Sequence, residues 1–167
     1  MQPDRECELK IAIRPFEPED AGAVSALIAV TMRESNARDY PPERLEALIA
    51  YFTPEKLRTL ARERYCLVAL AGGRLIGTAA REGDALATFF VDPEYQGRGV
   101  GTHLLVALER EARNAGLRSL RVEASLTGTP FYERRGYQRT GAIVAATAGP
   151  HICLGKHLRE VNSREHG

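Results

Sequence analysis

The residues best suited to chemistry lie in one short run, Phe89-Phe90-Val91-Asp92-Pro93-Glu94-Tyr95-Gln96-Gly97-Arg98-Gly99-Val100-Gly101. Three glycines alternate with Arg98 and Val100 just before Thr102 to Arg113 takes up a helical rhythm. Glycine has no β-carbon, so the main chain here can approach an anion closely. The unpaired N–H groups of a first helical turn point at that anion with the positive end of the helix dipole. Arg98 adds a guanidinium able to make charge-assisted hydrogen bonds. The apolar residues leading to Val91 read as a buried strand, and Pro93, which lacks a donor, stops its ladder. Strand end, forced turn, glycine loop and helix start, in that order, make a seat for a phosphate-bearing ligand. Two other phosphate loops are excluded by spacing: a dinucleotide fingerprint needs a third glycine where Thr102 stands, and a P-loop needs Gly-Lys-Ser/Thr, which is absent.

The surrounding sequence supplies the elements that must hold this run in place. Leu9 to Arg14 alternates like a half-buried strand and ends at Pro15. Glu17-Pro18-Glu19-Asp20 is a helix start, followed by Val24, Leu27, Ile28 and Met32 at helical spacing. Pro41 and Pro42 open a second helix with Leu45, Leu48, Ile49 and Phe52 inward, and Thr53 with Pro54 caps a third. Tyr65 to Ala71 and Arg74 to Ala80 form a hairpin at Gly72-Gly73, and a turn at Glu82-Gly83-Asp84 leads into the strand ending at Val91. The helix after the glycine loop stops at Asn114 and Gly116, and Leu117 to Ala124 is again a strand. Strand, helical crossover and strand predict a parallel pair with its ligand at the carboxyl ends. Thr129 to Tyr137 predicts a short helix begun by Thr129-Pro130 and stopped by Gly136.

Bulk properties narrow the class. With 167 residues and 44% hydrophobic content, the chain predicts one domain, with a core over 8–158 and a polar tail over 159–167. A net charge of +1 speaks against nucleic acid as a partner. Cys7, Cys66 and Cys153 are odd in number and widely spaced, which suits reduced thiols and a cytoplasmic location. No apolar run approaches the ~20 residues of a spanning helix, so no membrane association is expected. His103, His151, His157 and His166 show no metal-ligand spacing, so no metal is expected, and Cys153, two residues after His151, suits an inert core thiol.

Gln96-Gly97-Arg98-Gly99-Val100-Gly101 resembles the Gln/Arg-x-x-Gly-x-Gly/Ala motif of the GNAT superfamily of acyl-coenzyme A-dependent N-acyltransferases, with Gln96, Gly99 and Gly101 at the matching positions. A second segment, Phe131-Tyr132-Glu133-Arg134-Arg135-Gly136-Tyr137, is similar to the Phe-Tyr-Glu-x-x-Gly-Phe/Tyr stretch that commonly ends the core of that family. The resemblance covers roughly Tyr65 to Leu158. It implies a mixed α/β fold with a central, mostly antiparallel sheet, one splayed parallel strand pair and helices on both faces. The implied activity is transfer of an acetyl group from acetyl-CoA to a primary amine, with a homodimer as a possible assembly.

Such a transfer needs a grip on the coenzyme, a deprotonated amine and a proton for the departing thiolate. The resemblance assigns the grip to main-chain groups of Gln96, Gly97, Arg98, Gly99, Val100, Gly101 and Thr102. Phe90 and Val91 would offer main-chain groups to the pantetheine arm. Ser125 stands where the family often has a coenzyme-binding asparagine, and its hydroxyl replaces that amide only in part. Tyr132 matches a tyrosine that often protonates the leaving sulfur. The strand ending at Val91 lacks the family's frequent glutamate, so Glu123, Asp84, His151 or water remain open as the base. Arg134 and Arg135 would be candidates to reach a ribose phosphate of the coenzyme, beside the reading of exposed, solvated arginines on a short helix. The acceptor side would be built from Met32 to Tyr51, including Arg33, Glu34 and Tyr40, and from Thr140 to Cys153. Two other readings stand beside this one: a non-catalytic acyl-CoA sensor on the same fold, and a nucleotide-binding regulatory domain that would take ATP or NAD.

Overall fold

The structure is a computed structural model that describes residues 8–141, 144–146 and 149–160, so the expectations for Cys7, His166 and the end of the tail lie outside it. Its strands are β1 (Ala12–Pro15), β2 (Tyr65–Ala71), β3 (Arg74–Glu82), β4 (Ala85–Val91), β5 (Ser119–Ser125), β6 (Gln138–Arg139), β7 (Val144–Ala146) and β8 (Gly149–His157). They form one sheet in the order β1-β2-β3-β4-β5-β8-β6, with β7 on β8. Helices α1 (Ala21–Ser35), α2 (Pro42–Tyr51), α3 (Pro54–Glu63), α4 (Val100–Asn114) and α5 (Thr129–Glu133) complete it.

Strand alternation divides the core. Leu67 and Ala69 of β2 face α4, whose Val100, Leu104, Leu105, Leu108 and Ala112 form one buried stripe, whereas Val68 faces Val24, Ile28 and Met32 of α1. Helices therefore cover both faces, as the family resemblance implies. The Gly72-Gly73 turn has both residues at positive φ (57° and 80°), the geometry a two-residue hairpin requires. Thr53 caps α3 by accepting from the Lys56 N–H at 3.1 Å.

Two boundaries differ from the sequence reading. The first strand runs Ala12–Pro15 rather than Leu9 to Arg14, because an edge strand tolerates a proline whose missing donor faces outward. The residues Pro18–Asp20 form a 3-10 turn ahead of α1, held by Asp20, which accepts from the Glu17 N–H and from both ends of the Arg14 guanidinium at 2.8–2.9 Å.

The strand pair that positions the site is β4 and β5, which run parallel and pair only at Ala85↔Arg121. Beyond that point they diverge. A bulge in β4 sets Thr88 and Phe89 against the single residue Ala79, and Thr88 takes φ 48°, unusual for a β-branched residue. The Arg64 guanidinium donates to the Thr88 hydroxyl at 3.1 Å and braces the bulge. The extra residue turns the end of β4 away from β5 and leaves a wedge-shaped opening.

On the far side of α4, the buried Glu109 carboxylate accepts from Tyr137 Oη at 3.1 Å and Lys156 Nζ at 2.9 Å, tying α4 to β8 and to the residues after α5. Burial, then the Glu109 carboxylate, pushes the Tyr137 phenol up, and burial does the same to Tyr132. Above pH ~10, where an unfolded tyrosine ionises, the native state therefore holds more protons than the unfolded chain. Stability is complete below that value and falls as pH rises through it. Melting temperatures are expected to hold steady from pH 8 to about 9.5 and then drop, with a shallower drop in Tyr137→Phe; equal slopes in the two proteins would contradict this account.

Candidate active site

The opening between β4 and β5 is a cleft of about 440 Å³. One side is the glycine loop. Gly97 and Gly99 have φ of 73° and 86°, conformations that favour glycine, and Gly99 is the N-cap of α4. The helix thus begins two residues before its apolar rhythm suggests. Among the described residues, no main-chain N–H from Gly97 to Thr102 finds an acceptor; the first bond of the helix is His103 N–H to the Gly99 carbonyl at 3.0 Å. His103 Nδ1 also lies 2.7 Å from that carbonyl and must carry the proton to donate to it. A row of unpaired donors at a helix start thus borders the cleft.

Side chains around the loop serve mainly to hold its shape. Gln96 Nε2 donates to Ser35 Oγ at 3.0 Å and to the Val91 carbonyl at 3.1 Å, fastening the loop to α1 and to the end of β4. Thr31 Oγ1 is 3.3 Å from the same carbonyl, so that oxygen of Val91 is already engaged within the protein. Gly101 allows a close approach: a β-carbon there would sit 2.9 Å from the Phe131 ring. Arg135 donates to Thr102 Oγ1 and to the Phe131 carbonyl, and its guanidinium stacks 3.9 Å from the Phe131 ring centre.

Of the residues singled out in the sequence, Phe90, Val91, Gln96, Gly97, Gly99, Val100, Gly101, Thr102, Ser125, Tyr132, Arg134 and Arg135 all line this cleft. Arg98 does not. Its guanidinium lies 5.4 Å from the Tyr95 ring centre, where the aromatic face attracts the cation.

Tyr132 is 6% exposed and packs edge-on against Phe89, Phe131 and Tyr137, at ring separations of 5.1–5.8 Å. Its hydroxyl makes no hydrogen bond among the described residues. It borders both this cleft and a second cavity of about 210 Å³ on the α1–α2 side. That second cavity holds Tyr40, Glu123 and His151, with Tyr40 Oη 3.5 Å from His151 Nε2. Asp84 is elsewhere, at the closed end of the parallel pair, bonded to Arg121 at 2.9 Å. Arg33 pairs with Glu46 at 3.1 Å and, like Glu34, lines neither cavity.

The sequence reading held Asn36 only within the broad stretch Met32 to Tyr51 and did not single it out. At the C-cap of α1, its Nδ2 is 3.3 Å from Asp39 Oδ2 and 3.4 Å from Ser125 Oγ, and the residue borders both cavities. Asp39 in turn accepts from Thr127 Oγ1 at 2.9 Å, so a polar bridge joins the α1–α2 connection to the turn after β5. It brings a carboxamide beside Ser125 from a residue 89 positions away in the chain. An asparagine after a helix reads locally as a cap, and no local pattern announces such a partner.

Comparison with known proteins agrees with this geometry. The model of the acetyltransferase (GNAT) domain matches residues 36–152. An uncharacterized N-acetyltransferase of Escherichia coli K12, YafP, is 33% identical over 130 residues, covering 77% of this chain and 81% of its own. The crystal structure of a GCN5-related N-acetyltransferase from Rhodopseudomonas palustris superposes with a TM-score of 0.82 at 31% identity, over 90% of this chain and 98% of that one. At 21% identity, the PaiA N-acetyltransferase of Thermoplasma acidophilum, solved in complex with coenzyme A, shares the fold with a TM-score of 0.80 over 89% of this chain and 99% of its own. This chain belongs to the GNAT acyltransferase family. No helix among the described residues is long and apolar enough to cross a membrane, and no three His, Cys, Asp or Glu side chains among them are grouped to hold a metal ion.

Proposed function

We propose that this protein transfers an acetyl group from acetyl-CoA to a primary amine by direct attack within a ternary complex. The observation that carries the reading is the row of unpartnered N–H groups from Gly97 to Thr102 on a cleft that also contains the unpartnered hydroxyl of Tyr132. These donors suit the coenzyme diphosphate. Gln96 keeps the loop in place, Arg134 adds positive charge on the same cleft, and Phe90 and Ser125 face the pantetheine arm. Val91 contributes there through its position, since its carbonyl is occupied. Arg98 would have to leave Tyr95 to reach a phosphate, which makes it the weakest contributor.

In the transfer, the ammonium first gives one proton to a base, and the neutral amine nitrogen bonds to the thioester carbonyl carbon. The carbon–sulfur bond breaks as the departing thiolate takes a proton from Tyr132, and the second proton on the nitrogen restores the Tyr132 phenol, directly or through water. Burial keeps the Tyr132 phenol protonated, the state a donor must have. Glu123 and His151, in the second cavity beside Tyr132, are the candidates to accept the amine proton directly or through water. Asp84, committed to Arg121 away from both cavities, is set aside. An unpartnered hydroxyl where the two cavities meet favours catalysis over a sensor that only binds.

Calorimetry on the folded protein tests the grip. Acetyl-CoA is expected to bind in the micromolar range, with no detectable heat from ATP or NAD at the same concentrations. An absence of heat at millimolar acetyl-CoA would overturn the proposal.

A further inference from the structure

We infer that the second cavity accepts a compact amine with an apolar body and a single ammonium, and that it rejects acceptors carrying a carboxylate. This rests on the transfer proposed above. Met32, Phe52 and Phe90 form the apolar wall of the cavity, Tyr40 and His151 its polar side, and the exposed Glu123 is the one carboxylate on it among the described residues. Phe52 and Phe90 meet edge to face at 6.1 Å, so the wall is a packed aromatic surface rather than scattered apolar atoms.

Charge gives the selectivity. Among the described residues, Glu123 forms no ion pair and neither lysine nor arginine lines this cavity. The segment 142–149 leading to His151 contains no ionisable residue in its sequence. An ammonium entering here finds a carboxylate and aromatic faces, both of which attract it. A carboxylate on the acceptor would lose water and gain no lysine or arginine partner among the described residues. A polyamine would bring further ammonium groups against apolar walls with a single counter-ion, in a space of about 210 Å³. Arg44 is near enough to act on the Tyr40 phenol but does not line the cavity.

The test is thiol release from saturating acetyl-CoA with matched acceptors: 2-phenylethylamine, L-phenylalanine, L-phenylalaninamide and spermidine. Phenylalanine adds only the carboxylate to phenylethylamine, and the amide keeps its bulk without the charge. The expected order of kcat/KM is phenylethylamine, then the amide, then phenylalanine, with at least about a tenfold gap between first and last. Spermidine should fall at least about tenfold below phenylethylamine. Glu123→Gln is expected to raise the KM for phenylethylamine about tenfold while leaving acetyl-CoA affinity by calorimetry unchanged. Phenylalanine or spermidine matching or exceeding phenylethylamine would overturn the inference, the former pointing to Arg44 as a carboxylate partner. So would a protein that binds acetyl-CoA and acetylates none of the four. A protein that fails to bind acetyl-CoA at all would instead remove the transfer reading on which the inference rests.

Discussion

Replacing Tyr132 by phenylalanine should lower kcat by about 100- to 1,000-fold while leaving the Kd for acetyl-CoA and the folding stability almost unchanged. The ring is held edge-on by Phe89, Phe131 and Tyr137, and phenylalanine makes the same contacts. The hydroxyl gives up no bond among the described residues, so its loss should be felt only when a proton must reach the departing sulfur. Burial makes this phenol a weaker acid than in water. The thiolate forms in the same cleft, where desolvation raises its affinity for a proton too and offsets part of that cost. Because the folded phenol stays protonated beyond pH ~10, turnover should show no decline from its ionisation below that value. Steady-state kinetics, calorimetry and a thermal melt on the same preparation separate these effects. Turnover within threefold of the parent would remove Tyr132 from the mechanism.

Gly101→Val should weaken acetyl-CoA binding about tenfold or more and cost about 1–3 kcal/mol of stability. Gly101 does not have a positive φ, so the effect is one of space. An added β-carbon meets Phe131 Cε2 at 2.9 Å and Cζ at 3.1 Å. Phe131 cannot retreat easily, with Phe89 at 5.5 Å, Tyr132 at 5.1 Å and the Arg135 guanidinium 3.9 Å from its ring centre. The first turn of α4 must move instead, carrying its unpaired N–H groups off the line of the cleft. Truncating the obstructing ring as well, in Gly101→Val with Phe131→Ala, should recover part of the lost affinity; a double-mutant cycle measures that coupling. A single variant that binds acetyl-CoA within twofold of the parent would show that the close approach does not set the position of the donors.

Most of the elements could be read from the chain because local rules govern them. Gly72-Gly73, the Thr53-Pro54 cap, the stop at Gly116 and the apolar stripe of α4 each follow from a few adjacent residues. The glycine loop was legible for the same reason: an anion seat made of main-chain N–H groups needs glycines at set intervals and a helix directly behind them. The position of Arg98 was not, since its stacking on Tyr95 depends on how the loop folds back.

What the sequence determined by itself was the glycine loop at the start of α4, because its free N–H groups belong to contiguous main chain. Folding decided which polar side chains come together. Glu123, His151 and Tyr40 meet in one cavity, and Asn36 reaches Ser125, only because β4 leaves β5 after a single paired position. That divergence comes from the bulge at Thr88, and Asp84 is excluded because it lies where the strands are still joined. Contacts between residues far apart in the chain are products of sheet geometry, and no window of neighbouring residues contains the information that sets them.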